Sequence, residues 1–70
     1  MDYRDIGVPP YRIEHRSPDD AALILDYATT LPLAHVRLVR MWVRLFRVDA
    51  IGEVVLIDQD TELILERRSL

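Results

Sequence analysis

A chain of 70 residues, half of them hydrophobic and none of them cysteine, is one small domain with neither disulfides nor thiolate metal sites to hold it together. Domains of this size usually need a staple or a partner, and self-association is the route left open. The net charge of −3 is unevenly spread: no acid stands between Asp26 and Asp49, an interval that holds four of the nine arginines, and overall acidity works against non-specific nucleic-acid affinity.

Residues 1–10 read as an irregular arm, because Gly7-Val8-Pro9-Pro10 cannot join a helix. Residues 11–70 form the domain. Residues 11–16 alternate, with Tyr11, Ile13 and His15 on one side and Arg12, Glu14 and Arg16 on the other, which predicts a short half-buried strand. Ser17-Pro18-Asp19-Asp20 then carries helix-start chemistry: a capping hydroxyl, a proline for the first turn and acids at the positive end of the dipole. A first helix over residues 18 to about 29 is the expectation. Pro32 disfavours helical geometry in the residue before it, so Thr30 caps a second helix from 32 or 33 to about 47. One helix kinked at Pro32 is the alternative.

The second helix is the most informative stretch. Arg37, Arg40, Arg44 and Arg47 recur at helical spacing and gather within an arc of roughly 80°, leaving roughly 240° apolar, against about 100° for an ordinary surface helix. A strand would scatter the four charges over both faces. So wide an apolar arc asks for burial on more than one side. Val39, Trp42, Val43 and Phe46 are therefore the expected oligomer interface, and Trp42 and Phe46, four residues apart, are taken as the centre of the buried face.

Residues 53–58 and 61–67 are β-rich runs around Asp58-Gln59-Asp60-Thr61, a hairpin without the usual glycine. With Gln59 and Asp60 as the loop, Val54, Leu56, Leu63 and Leu65 share the core face. Val55, Ile57 and Ile64 then share the other with Glu53, Glu62 and Glu66, and Glu53 stands opposite Glu66. The arginine ridge is the obvious cation to relieve that pair. At least two of its four arginines are expected to meet carboxylates, with Glu53, Glu62 and Glu66 favoured.

The fold class is thus α+β: a short N-terminal strand, two consecutive helices and a C-terminal β-hairpin, with the helices on one face of a small antiparallel sheet. Little in the chain points to catalysis: two serines, no cysteine, no glycine-rich phosphate loop. His15 and His35 lack a second ligand at metal spacing. Asp58, Asp60 and Glu62 imitate the start of a calcium loop, but Leu63 replaces the required glycine. No cofactor or metal is expected.

The ridge Arg37/Arg40/Arg44/Arg47 is the candidate partner-binding site. Its readings are a solvated face, acidic groups of a protein partner, or phosphates. The leading functional reading is a non-catalytic interaction module, a small adaptor, inhibitor or regulatory protein acting as a homo-oligomer. The alternative is a nucleic-acid-binding regulator whose helix and hairpin match the tail of a winged helix, although the ridge lacks residues that read base edges. The polar first sixteen residues suggest no secretory leader, and arginines interrupt every apolar run, so a cytoplasmic protein without a membrane span is expected.

Overall fold

β1 (Tyr11–Arg16) is the strand around which the domain is built, because it pairs antiparallel on both sides. The computed structural model describes residues 8–19 and 22–70. β1 forms a hairpin with β2 (Leu23–Ala28). The chain then runs through α1 (Leu31–Arg47) and returns as a second hairpin, β3 (Glu53–Asp58) and β4 (Leu63–Ser69). The sheet has the order β2-β1-β3-β4, and α1 packs on one face of it. Of the expected arm, residues 1–7 lie outside the described residues. Residues 8–10 are irregular, with the Pro9 and Pro10 carbonyls accepting hydrogen bonds from Gln59.

Among the described residues there is neither the expected first helix over residues 18–29 nor a long helix kinked at Pro32. Residues 23–28 are strand β2. Ser17 caps no helix: its hydroxyl accepts from the Asp19 N–H at 3.3 Å in the connection after β1. Ser and Thr satisfy a backbone N–H in either setting. Leu23, Ile24 and Tyr27 suit a pleated surface and by pairing complete the second side of β1, with Leu25 at the register shift between them. α1 begins at Leu31, one residue before the expected 32, with Thr30 as its cap as expected. Thr30, in extended geometry, accepts from the Leu33 N–H at 3.4 Å, and Pro32 occupies the first turn. It ends at Arg47, with Asp49 at φ 57° in the left-handed position that closes many helices.

The core lies between α1 and the sheet. Ile13, Ala28, Ala34, Leu38, Val54 and Leu56 are buried there, with Leu25, Leu33, Met41, Trp42 and Leu45 packed around them. Small Ala34 lets the helix approach closely, and Leu38 fills the middle.

The second hairpin turns differently from the two-residue loop expected. Asp58 faces Leu63, four residues form the loop, and Glu62 supplies the left-handed residue at φ 59° in place of a glycine. Its N–H donates to the Asp58 carbonyl at 2.7 Å. A bulge at Leu65 then shifts the register, so that Glu66 faces Leu56 and Glu53 faces Ser69. Glu66 therefore lies on the helix side, bonded to His35, and the Glu53–Glu66 clash does not arise.

On the face away from α1, Val55 and Ile57 are buried opposite Glu14 and Arg12 in the register. The Glu14 carboxylate is itself buried and is paired with Arg12 and, at 3.1 Å, with Arg16. Arg12 is the hub, donating to Glu14, to Gln59 at 3.2 Å, and to both carboxylate oxygens of Glu62 at 3.1 and 2.7 Å. Hydrogen bonds from Arg12 hold the Glu62 carboxyl below its ordinary 4.5, and the Arg12 guanidinium is raised in turn. A carboxyl whose pKa is lowered by folding adds stability above its unfolded value, and that stability is lost as pH falls through the lowered folded value. Glu62→Gln is therefore expected to be less stable than wild type at pH 7, with the gap closing as the pH drops below about 4.5. Urea melts at pH 7 and in steps below pH 4.5 check this; a gap that stays constant through the acid range contradicts it.

Candidate protein-binding surface

α1 carries the candidate residues, and its rotation about its axis decides what each can do. Ala34, Leu38, Met41, Trp42 and Leu45 face the sheet. Turning away from the sheet on one side come Val36, Val39, Val43 and Phe46, which fall within an arc of roughly 80°. Val36 and Phe46 are 45% and 58% exposed. Beyond them lie Arg40, Arg44 and Arg47, all exposed. The apolar arc is thus split: part is core, and part is an uncovered stripe running beside the arginines.

Two expectations about this helix are overturned. Phe46 is not at the centre of the core. Trp42 is only half-buried, donating Nε1–H to the Ser69 carbonyl at 2.8 Å, stacked on Phe46 at 5.5 Å and lying under the Arg68 guanidinium. Among the assigned interface residues, Val39, Val43 and Phe46 lie on the uncovered stripe and Trp42 turns inward against the end of β4. Phe46→Ala is consequently expected to cost no more than about 1 kcal/mol, far below a core truncation, in a urea melt. A loss of about 3 kcal/mol or more places Phe46 in the core and contradicts the observed rotation.

The arginines also divide. Arg37 lies 3.5 Å from Asp26 and donates to the Tyr27 carbonyl. For Arg40, Arg44 and Arg47, no carboxylate lies within salt-bridge distance among the described residues. The pairing expected with Glu53, Glu62 and Glu66 does not form. Arg67 reaches Glu53 at 3.2 Å, Arg12 takes Glu62, and Glu66 is held by His35 Nδ1 at 3.0 Å and Arg68 at 3.7 Å. The sheet's own cations have used its carboxylates.

Arg37 has a different task. β2 is an edge strand, and the Tyr27 backbone has groups that an adding strand would bond. Asp26 Oδ1 accepts the Tyr27 N–H at 2.8 Å, and Arg37 covers the Tyr27 carbonyl. The opposite edge, β4, is guarded by its bulge and by Glu66, Arg67 and Arg68. Arg37→Ala is expected to leave the fold intact but bare the β2 edge, where Leu23 and Ile24 are 61% and 47% exposed, and so promote concentration-dependent association in light scattering. An Arg37→Ala chain that scatters like wild type at every concentration removes this role.

At the N-terminal end of α1 the stripe runs into a groove of about 580 Å³, reached through Val36 and lined by Leu31, Pro32, His35, Leu56, Leu65 and Glu66. Leu31 and Leu65 are 48% and 45% exposed. Sequence reasoning missed this groove because it depends on the β4 bulge. Residues 36, 39, 43 and 46 of the stripe follow a three-four-three spacing, whereas the sequence reading placed Trp42 in it and left out Val36. His15, by contrast, donates to the Ile51 carbonyl at 2.8 Å and takes no part here. Among the described residues, no group of three His, Cys, Asp or Glu is placed to hold a metal ion, and no helix is long and apolar enough to cross a membrane.

The domain is therefore an α+β fold in which one amphipathic helix covers one face of a four-stranded antiparallel sheet. No protein-family model, no curated protein and no solved structure matches the chain.

Proposed function

We propose that this chain is a non-catalytic protein-interaction module, a small adaptor, inhibitor or regulatory protein that works in the cytoplasm and meets acidic groups of a partner through the outer surface of α1. One observation carries the reading: Arg40, Arg44 and Arg47 stand without carboxylates among the described residues, side by side with a stripe of exposed Val36 and Phe46 and half-buried Val39 and Val43. Apolar area next to desolvatable arginines is the composition of protein interfaces. The absence of cysteine suits a reducing compartment. The helix and hairpin of the winged-helix likeness are present, but α1 is preceded by a strand where a helix-turn-helix has a helix, and the ridge lacks residues that read base edges.

Self-association is a second reading, favoured by the three-four-three spacing of the stripe, which a second α1 could match. The test of the leading reading is Arg40→Glu combined with Arg44→Glu. Both side chains are exposed, so the double variant should fold with stability within about 1 kcal/mol of wild type. It should no longer retain the proteins that immobilised wild-type chain retains from host extract. A folded double variant that retains the same proteins removes the ridge from the proposal.

A further inference from the structure

We infer that the partner of α1 is an acidic amphipathic helix, laid along the stripe with one large apolar side chain in the Leu31–Leu65 groove and carboxylates against Arg40, Arg44 and Arg47. The inference rests on the interaction-module reading and names its partner. Three lines of argument lead to it.

The first concerns the surfaces a partner could use. An extended segment would add to a sheet edge, but β2 is capped at Tyr27 by Asp26 and Arg37, and β4 is charged and bulged. The outer face of α1 has no such guard. Exposed Val36 and Phe46, half-buried Val39 and Val43 between them, and Leu31 and Leu65 of the groove leave apolar side chains open along this face.

The second concerns shape. Residues 36, 39, 43 and 46 present the spacing that a second helix packs against, each side chain of one filling a gap in the other. The groove at the N-terminal end of the stripe is floored by buried Leu56 and has room for a leucine or phenylalanine anchor. Helix-in-groove binding uses anchors of this kind at i, i+3 or i+4 and i+7.

The third is charge, and it chooses the occupant. α1 contains no acid, so a second copy docked face to face would bring three unpaired guanidiniums from each chain to one seam with no carboxylate from either helix. Like charges brought together at an interface cost several kcal/mol. A partner helix with glutamates or aspartates flanking its apolar face converts the same guanidiniums into charge-assisted hydrogen bonds. Duplex phosphates would satisfy the arginines but leave the valines and Phe46 unpaired with anything apolar, so a nucleic acid uses half of the surface.

The experiment is calorimetric titration of the wild-type chain with three synthetic peptides of about 18 residues, long enough to span the stripe. One carries leucines at i, i+3, i+7 and i+10 flanked by glutamates. In the second, lysines replace the glutamates, and the third is a scramble of the first. The acidic peptide should bind at least tenfold more tightly than either control. Arg40→Glu with Arg44→Glu should reverse the preference between the glutamate and lysine peptides. Val43→Asp, half-buried on the stripe, and Leu65→Gln, in the groove, should each weaken the acidic peptide at least tenfold while the chain still melts cooperatively. Binding of the acidic peptide no better than the scramble overturns the inference. So does a wild-type chain that sediments as a dimer and is dissociated by Val43→Asp, because the occupant is then a second copy. Duplex DNA that displaces the acidic peptide with a steep salt dependence also overturns it. If the acidic peptide fails while the double arginine variant still loses its host partners, the helix falls and the interaction module stands. If that variant keeps them, both fall.

Discussion

Replacing Leu38 by alanine is expected to remove about 3–5 kcal/mol of stability. Leu38 is fully buried at the middle of α1, within the cluster formed by Ile13, Ala28, Ala34, Val54 and Leu56. Truncation loses the transfer energy of the side chain and leaves a cavity between helix and sheet. Ile13, Val54 and Leu56 sit on β1 and β3, which are paired on both sides, so little can move in to fill it. A 70-residue domain has only about 4–10 kcal/mol in total, so the loss is about a third of its stability or more. Urea unfolding should show the midpoint falling by a third or more with the slope unchanged. Val43→Ala, one and a half turns along on the outer stripe, should stay within about 1 kcal/mol. If Val43 proves as costly as Leu38, the stripe is covered in the free chain and the surface argued here is not available.

The comparison of these two positions shows what the sequence could and could not reveal. The four arginines define α1 and its outer side, because only a helical period gathers them. The alternation in residues 11–16 marks β1 in the same direct way. The apolar arc is another matter. It is wide enough to contain both a core face and an interaction face, and nothing in its composition says which is which. Trp42 and Phe46 are the largest side chains on the helix, so they look like the core. The structure instead buries Ala34 and Leu38, since a sheet packed beneath a helix needs a small residue at closest approach. Arg37, tied to Asp26 and Tyr27, holds the cation side of α1 over β2 and so turns the valines outward. Such ties join residues ten and eleven apart in the chain and leave no local signature.

The missing first helix has a related cause. Ser17 and Pro18 describe how a backbone N–H is satisfied but not whether a helix or a turn needs it. The choice is made by β1, which gains a second neighbour when residues 23–28 are extended. In the second hairpin the register follows from two features that no turn motif announces: a glutamate at positive φ and a bulge at Leu65. Those two features turn Glu66 towards the helix, where it lines the groove. The candidate site was therefore readable in its charged half, while its apolar half was set by pairing between distant strands.

Gly52→Val is expected to abolish folding. Gly52 closes the short connection between α1 and β3 at φ +105°, a backbone conformation that essentially only glycine tolerates. A side chain there would place its Cβ 2.1 Å from the Arg16 carbonyl oxygen and 3.0 Å from the Ser17 Cα. These are backbone atoms at the end of β1, so no rotamer change relieves the overlap. Relief requires β1 to move from β3, with which Arg16 and Glu53 are paired, and that pairing is the centre of the sheet. The Gly52 carbonyl also accepts from the Leu70 N–H at 2.9 Å, so the same displacement loosens the last residue of the chain. Backbone strain alone is about 1–3 kcal/mol, and the loss of central pairing adds to it in a domain whose whole stability is about 4–10 kcal/mol. The variant should show no cooperative thermal transition and no near-ultraviolet signal from Trp42. Ile51→Ala is the matched control one residue away. Its side chain is 58% exposed and its carbonyl, which accepts from His15, is retained, so stability should change by no more than about 0.5 kcal/mol. A Gly52→Val chain that melts like the control would show that the α1–β3 connection can move without the sheet, and the close approach to β1 would then carry no structural weight.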